Sequence, residues 1–201
     1  MFPYFQILPL WNNFKNTQMK KVLLSLLLML VALTVFSQEE LKFSKVIQSE
    51  TKADKKQLYA VLRSFVATYY HNSKEVIQMD DKDAGILICK ATSVFNAPGM
   101  MLAAYDGWLD YNLKLQARDG RVRVEVFHFF HHNKPGNQAK AQLGVLTTAE
   151  EYTNTGMQKK YHNKIWKMLK KHAEDISNDI FAGAEEAIKE NVVTDNQEEE
   201  W

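Results

Sequence analysis

The chain has 201 residues, with 25 basic and 24 acidic side chains, 46% hydrophobic and 11% aromatic content, and a single cysteine. That length and balance fit one domain with an ordinary core, and they exclude a collagen-like, disulfide-stapled or wholly disordered chain. The composition also lacks the polycationic signature of a nucleic-acid-binding domain.

Met19, Lys20 and Lys21 precede residues 22–36, fifteen positions without a charge, and Ser37 then opens a stretch rich in charges. This is the order of a basic segment, an apolar segment and a small-residue cleavage site. A membrane-spanning helix needs roughly 20 apolar residues, so a cleaved export signal over 19–37 is the expectation, with 1–18 as an upstream start and Met19 as initiator. No cysteine follows the apolar segment to take a lipid, and no twin arginine precedes it. The removed segment carries three lysines and no acid, which leaves 22 basic and 24 acidic residues in the mature chain, a net charge of −2. Periplasmic or secreted localisation follows from this reading.

Residues 41–49 alternate apolar and polar and predict a strand. Asp54 with Gln57 three positions on predicts a capping box, and Leu58, Val61, Leu62, Phe65 and Val66 then repeat at helical spacing over 55–70. Residues 74–79 form a short strand candidate, and Asp80, Asp81, Asp83 and Gly85 supply a turn into a strand over 86–95. The 96–99 turn leads to the cleanest alternation in the chain, Leu109, Tyr111, Leu113, Leu115 and Ala117, and Asp119-Gly120 turns it into a partner strand over 121–131. Residues 132–156 are a long connection with a short helix expected at Thr148 and Glu151. Thr155 and Gln158 predict the cap of a last helix over 157–182, with a stripe of Tyr161, Ile165, Leu169, His172, Ile176 and Ile180. A folded domain over 38–183 and a flexible acidic tail over 184–201 complete the expected organisation.

Strand, helix, four strands, helix is an α+β arrangement, an antiparallel sheet covered by two helices. The pieces FSKVIQSE, KKQLYAVLRSFVATYY, KEVIQMDDKDAGILICK and LKLQARDGRVRVEV, together with the late helix, resemble the domain of unknown function 4468 family across about 41–182. The resemblance implies a secreted bacterial domain with a TBP-like fold in the order β-α-β-β-β-β-α. It carries over no catalytic or binding residue, and a shared fold does not transfer function.

Several groupings invite a chemical reading. His128 and His132 would stand about 13 Å apart on a regular strand with His131 facing away, too far for one zinc, and the cluster reads as a solvated strand end. Asp81 to Gly85 misses the spacing of a calcium loop. Cys89 lies among Ile86, Leu87 and Ile88 with nothing to lower its pKa, and reads as core. Nucleotide and serine-elbow motifs are missing, so no cofactor and no metal is expected.

Lys160, Lys164, Lys167 and Lys171 recur along one helix face. That face reads either as solvated or as a contact for an anionic partner such as membrane-surface phosphates. Met100, Met101, Tyr105 and Trp108 make the 96–108 loop unusually apolar, and Phe127 and Phe129 are expected opposite the valines of their strand, facing a helix–sheet groove. These six are the candidate contacts for an unknown envelope protein or small ligand. The reading is a non-catalytic envelope binding module, with an enzyme sited between sheet and C-terminal helix as the alternative. The net-acidic mature chain argues against nucleic acid.

Overall fold

The computed structural model describes residues 38–51, 53–134, 141–152 and 158–194, with side chains through residue 190. The chain divides into two units, Met1–Gln38 and Glu39–Trp201, and every element below belongs to the second. The expected signal segment, Thr155 and residues 195–201 lie outside the described residues. In chain order the elements are β1 (Lys42–Gln48), α1 (Lys55–Tyr69), α2 (Ser73–Val76), β2 (Ile77–Asp81), β3 (Ile86–Phe95), a 3₁₀ helix (Met100–Tyr105), β4 (Gly107–Arg118), β5 (Arg121–Asn133), β6 (Gly144–Val145) and α3 (Lys159–Thr194).

Strict alternation on β4 and β5 sets the sheet. Leu109, Tyr111, Leu113, Leu115 and Ala117 on one strand, and Val122, Val124 and Val126 on the other, all point to the helices and are buried. A one-residue slip would turn every one of them to water, so the register is strongly specified. The Asp119-Gly120 turn closes the hairpin with Arg118 opposite Arg121, and Gly120 takes a φ of 72°, a conformation a side chain would strain. The strand order is β1-β5-β4-β3-β2, antiparallel throughout, and β6 pairs with the far end of β5 beyond β1.

Helix α1 begins at the expected capping box: Gln57 N donates to Asp54 Oδ1 (2.8 Å) and Asp54 N donates to Gln57 Oε1 (3.0 Å). Its Leu58, Tyr59, Leu62, Phe65 and Val66 are buried. On α3 the buried stripe includes Ile165, Leu169, Ile176 and Ile180, as the spacing predicts, and also Trp166, Ala173 and Phe181. Together with the inner face of the sheet these side chains form one core.

The structure departs from the predicted elements in four places. Residues 74–76 are helical in α2, so β2 starts only at Ile77, where a register shift against β3 marks the change. The helix expected at Thr148 and Glu151 is not formed. Here Leu146 N donates to Phe129 O (2.8 Å), Leu41 N donates to Leu146 O (2.9 Å) and Glu40 bridges Thr147, so this backbone is satisfied by the sheet edge. Helix α3 passes the expected end at 182 and runs to Thr194. Ala184 and Ile188 extend the buried stripe and Lys189 pairs with Glu185 one turn back (3.1 Å), which together hold as helix a segment expected to be tail.

The fourth departure is a β-bulge. Asn112 faces Phe127 and Asp110 faces Phe130, so Tyr111 alone opposes His128 and Phe129. His128 takes up the extra residue with a φ of 56°. Side chains beyond it change sides, and Phe129 and His131 join the valines on the inner face. Among the described residues no helix is long and apolar enough to cross a membrane.

Candidate functional site

The 3₁₀ helix forms a tip at one end of the sheet. Leu102 and Tyr105 are buried beneath it, while Met100 is 95% exposed and Met101 77% exposed. Its base is tied on several sides: Leu102 N donates to Gly99 O (3.1 Å), Asp106 N to Ala103 O (3.1 Å), and Ala97 N to the Asp106 carboxylate (2.7 Å). Beneath it Tyr105 meets His162 edge-on, and His162 meets Tyr152, which rests on Trp166. The two methionines are therefore presented by an anchored base.

His131 is the anchor on the sheet side and is fully buried. Leu143 N donates to its Nδ1 (3.2 Å), so that nitrogen carries no proton, and the contact of Nε2 with Tyr105 O (3.0 Å) is then a donation from Nε2–H. The ring is thus neutral, and burial pushes its pKa below the ordinary histidine value. This corrects the reading of the HFFHHN stretch as a solvated strand end, since the bulge at His128 turns His131 inward. His128 remains outside, 3.1 Å from Glu40, and His132 lies 3.3 Å from Asp110. Among the described residues no three His, Cys, Asp or Glu side chains gather as a metal would need.

The six aromatic and methionine candidates do not form one surface. Met100 and Met101 are exposed at the tip, and Trp108 and Phe127 are half-buried on the outer face of the sheet. Tyr105 and Phe129 are core residues, Phe129 packed between Phe43 and Tyr111 at 5.9 and 6.0 Å. The expected placement of Phe129 opposite the valines fails because of the bulge. Around Phe129, Ile165 and Leu169 the helix–sheet space is filled by the domain's own side chains. Cys89 is buried there, with its thiol pushed up to about 12 by loss of water, and is inert as a nucleophile.

Lys160, Lys164, Lys167 and Lys171 are all exposed on α3, as their spacing predicts. Lys171 is engaged by Asp175 (2.5 Å) and Glu174 (3.6 Å), which reduces the net charge of the face at that end. Trp166, next to Lys167 in the sequence, is buried, with its Nε1 donating to Ala149 O (2.9 Å). Lys167 and Lys171 line an open depression of about 500 Å³ with Phe95, Asn96 and His172. At its margin Ser93 Oγ lies 3.0 Å from His172 Nε2, and burial lowers the pKa of that histidine. The pair joins β3 to α3 across 79 residues, and neither sequence motif nor spacing signals it.

One further feature escapes the motif reading although the sequence signals it. Only four of the 25 basic residues are arginines, and three of them, Arg118, Arg121 and Arg123, lie within six positions at the β4–β5 turn. All three are exposed on the outer face.

A crystal structure of a TBP-like protein from Parabacteroides distasonis ATCC 8503 is similar over 72% of this chain and 92% of that one, at 14% identity and a TM-score of 0.50. A DUF4468 family protein from Bacteroides ovatus ATCC 8483 is similar over 74% of this chain and 86% of that one, at 15% identity and a TM-score of 0.50. At such identities the likeness concerns the fold. No curated protein matches the chain. The family model described as a domain of unknown function (DUF4468) with TBP-like fold matches residues 43–131, a span that runs from β1 to the buried His131. Over those residues the chain matches the DUF4468 family, and its fold is the TBP-like, α+β one.

Proposed function

We propose that the domain is an exported, non-catalytic module of the cell envelope that docks a partner protein through the Met100–Met101 tip. The observation that carries this reading is the contrast within one 3₁₀ turn. Leu102 and Tyr105 are buried, whereas Met100 and Met101 are the most exposed large apolar side chains among the described residues. Methionine adapts its shape to an apolar partner at little cost, and apolar groups held at a tied tip are a common contact device. The filled helix–sheet core argues against a small ligand there. Export rests on the basic, apolar and small-residue order of 19–37.

The test is site-specific photo-crosslinking in cells that make the protein, with the probe at position 100 and, as control, at the exposed turn position 82. A discrete adduct from 100 that is missing from 82, and that disappears with Met101→Glu, supports the reading. Equal labelling from both positions overturns it. Processing at residue 38, read from the intact mass of the envelope-derived chain, tests export separately.

The Ser93–His172 pair favours one second reading, a hydrolytic site between sheet and C-terminal helix. A neutral histidine 3.0 Å from a hydroxyl is the geometry of a general base and its nucleophile. Among the described residues no carboxylate hydrogen-bonds the other ring nitrogen of His172, so the orienting third member is lacking. Covalent labelling of Ser93 by a fluorophosphonate, lost in Ser93→Ala, would favour it over the binding module; unlabelled protein would remove it.

A further inference from the structure

We propose that Arg118, Arg121 and Arg123 form a binding site for a phosphate group on the outer face of the sheet. The site lies at the opposite end of β4 from the methionine tip and does not depend on the reading of that tip.

The choice of residue is the first argument. With 21 lysines to 4 arginines, the chain uses lysine wherever a cation merely has to be present. Three of its four arginines converge on the β4–β5 turn. Arginine differs from lysine in its planar fork of donors, which matches the oxygens of phosphate two at a time.

The second argument is an unrelieved electrostatic conflict. Arg118 and Arg121 are direct cross-strand partners, and like charges so placed destabilise a hairpin. Several strand and helix cations elsewhere are paired: Lys42 with Glu125 (2.6 Å), Lys45 with Glu185 (2.6 Å) and Arg63 with Asp80 (2.9 Å). Among the described residues no acid lies within ion-pair distance of Arg118, Arg121 or Arg123. Glu125 senses Arg123, but its ion pair is with Lys42. The acid in the turn itself, Asp119, accepts the Lys55 backbone N–H at the start of α1 (2.9 Å) and is committed there.

The third argument is shape. The three arginines, Gln116 and Val46 enclose a cleft of about 90 Å³. That is room for roughly three waters at about 30 Å³ each, or for one tetrahedral oxyanion in their place. Gln116 faces Arg123 across the ladder and adds an amide donor, while Val46, on the neighbouring strand β1, faces Arg123 from the other side. The backbone that carries these groups is a continuous antiparallel ladder, so the points from which the three side chains extend are fixed relative to one another. The chain carries a formal net charge of only +1, so the positive site is local and not a consequence of overall charge.

The same phosphate chemistry is available from free phosphate and from a lipid headgroup, and the experiment separates the two. The purified full-length chain is titrated calorimetrically with inorganic phosphate, and co-sedimented with phosphatidylcholine vesicles containing phosphatidic acid. R121Q/R123Q and R121K/R123K are compared with K56Q/K82Q, which removes two cations elsewhere. Saturable phosphate binding that weakens at least tenfold in both arginine variants and is retained in K56Q/K82Q supports the site with free phosphate as ligand. Vesicle binding that is lost in R121Q/R123Q without phosphate binding supports it with a headgroup as ligand. Binding of neither probe, or equal losses in K56Q/K82Q, overturns the proposal. Melting curves guard against a folding artefact: R121Q/R123Q should melt at or above the wild-type temperature, because the opposed charges are gone, and R118Q replaces it should it fail to fold.

Discussion

The inner and outer faces of the sheet hang on the same backbone ladder and differ in what surrounds them. On β4 and β5 the inner side chains are nearly all without solvent contact, and their neighbours are α1 and α3. The outer side chains of the same strands are partly or fully exposed and include the aromatic Trp108 and Phe127 toward one end and the three arginines at the other. Substitution of an inner residue therefore tests stability, and substitution of an outer residue tests contact with something else. The contrast teaches that burial on this sheet is allocated by parity along the strand, and that one bulged residue is enough to reassign it.

The most severe test of that contrast compares two phenylalanines two positions apart. Phe129→Ala should destabilise by about 3 to 5 kcal/mol in denaturant melts, because it opens a cavity in a packed core. Phe127→Ala, half-buried on the outer face, should lower stability by no more than about 1 kcal/mol. Equal losses would mean that the bulge does not exchange the faces.

Leu113→Ala on the sheet and Ile165→Ala on the helix, both fully buried, should each lower stability by about 2 to 5 kcal/mol, and a change below about 1 kcal/mol would break the inner-face assignment.

A smaller effect should follow pH. The pKa of His131 and that of His172 are lowered in the folded state, chiefly by burial. Between those lowered values and the ordinary histidine value near 6.5, the unfolded chain binds more protons than the folded one. Stability is then complete above about pH 6.5 and is lost as pH falls below it. Unfolding measured at pH 7.5 and pH 5 should give the lower stability at pH 5. His131→Gln can still donate to Tyr105 O and accept from Leu143 N, and should flatten the dependence to the part that His172 contributes. A slope as steep in His131→Gln as in the wild type would assign the titration to another group.

The smallest effect is expected on α3. Lys164→Glu combined with Lys167→Glu should leave stability within about 0.5 kcal/mol, since both side chains are exposed. Clear unfolding would show that this face is structural.

Much of the layout is legible from local rules. The capping box at Asp54 and Gln57, the Asp119-Gly120 hairpin and the parity of β4 depend on neighbours a few residues apart, and each is found where the spacing places it. The bulge at His128 was not legible, because a residue takes positive φ there only when Tyr111 on the partner strand fixes where the ladder shifts. The extension of α3 escaped for a related reason: its polar surface reads as tail until Ala184 and Ile188 are seen to be buried.

Of the candidate site residues, Met100, Met101 and the lysine face are where the sequence suggests. Tyr105 and Phe129 are not, because burial is a property of contacts made from distant elements.

By itself, then, the amino-acid order determined the α+β class, most of the elements and the arginine enrichment at one turn, all of which rest on periodicity, turn chemistry and composition within short windows. Tertiary structure alone decided that His131 is a neutral buried strut, that Ser93 meets His172, and that three arginines share one cleft with no acid lining it among the described residues. Each of these depends on which strand lies beside which, a matter settled by packing the whole inner face and not by any segment of it.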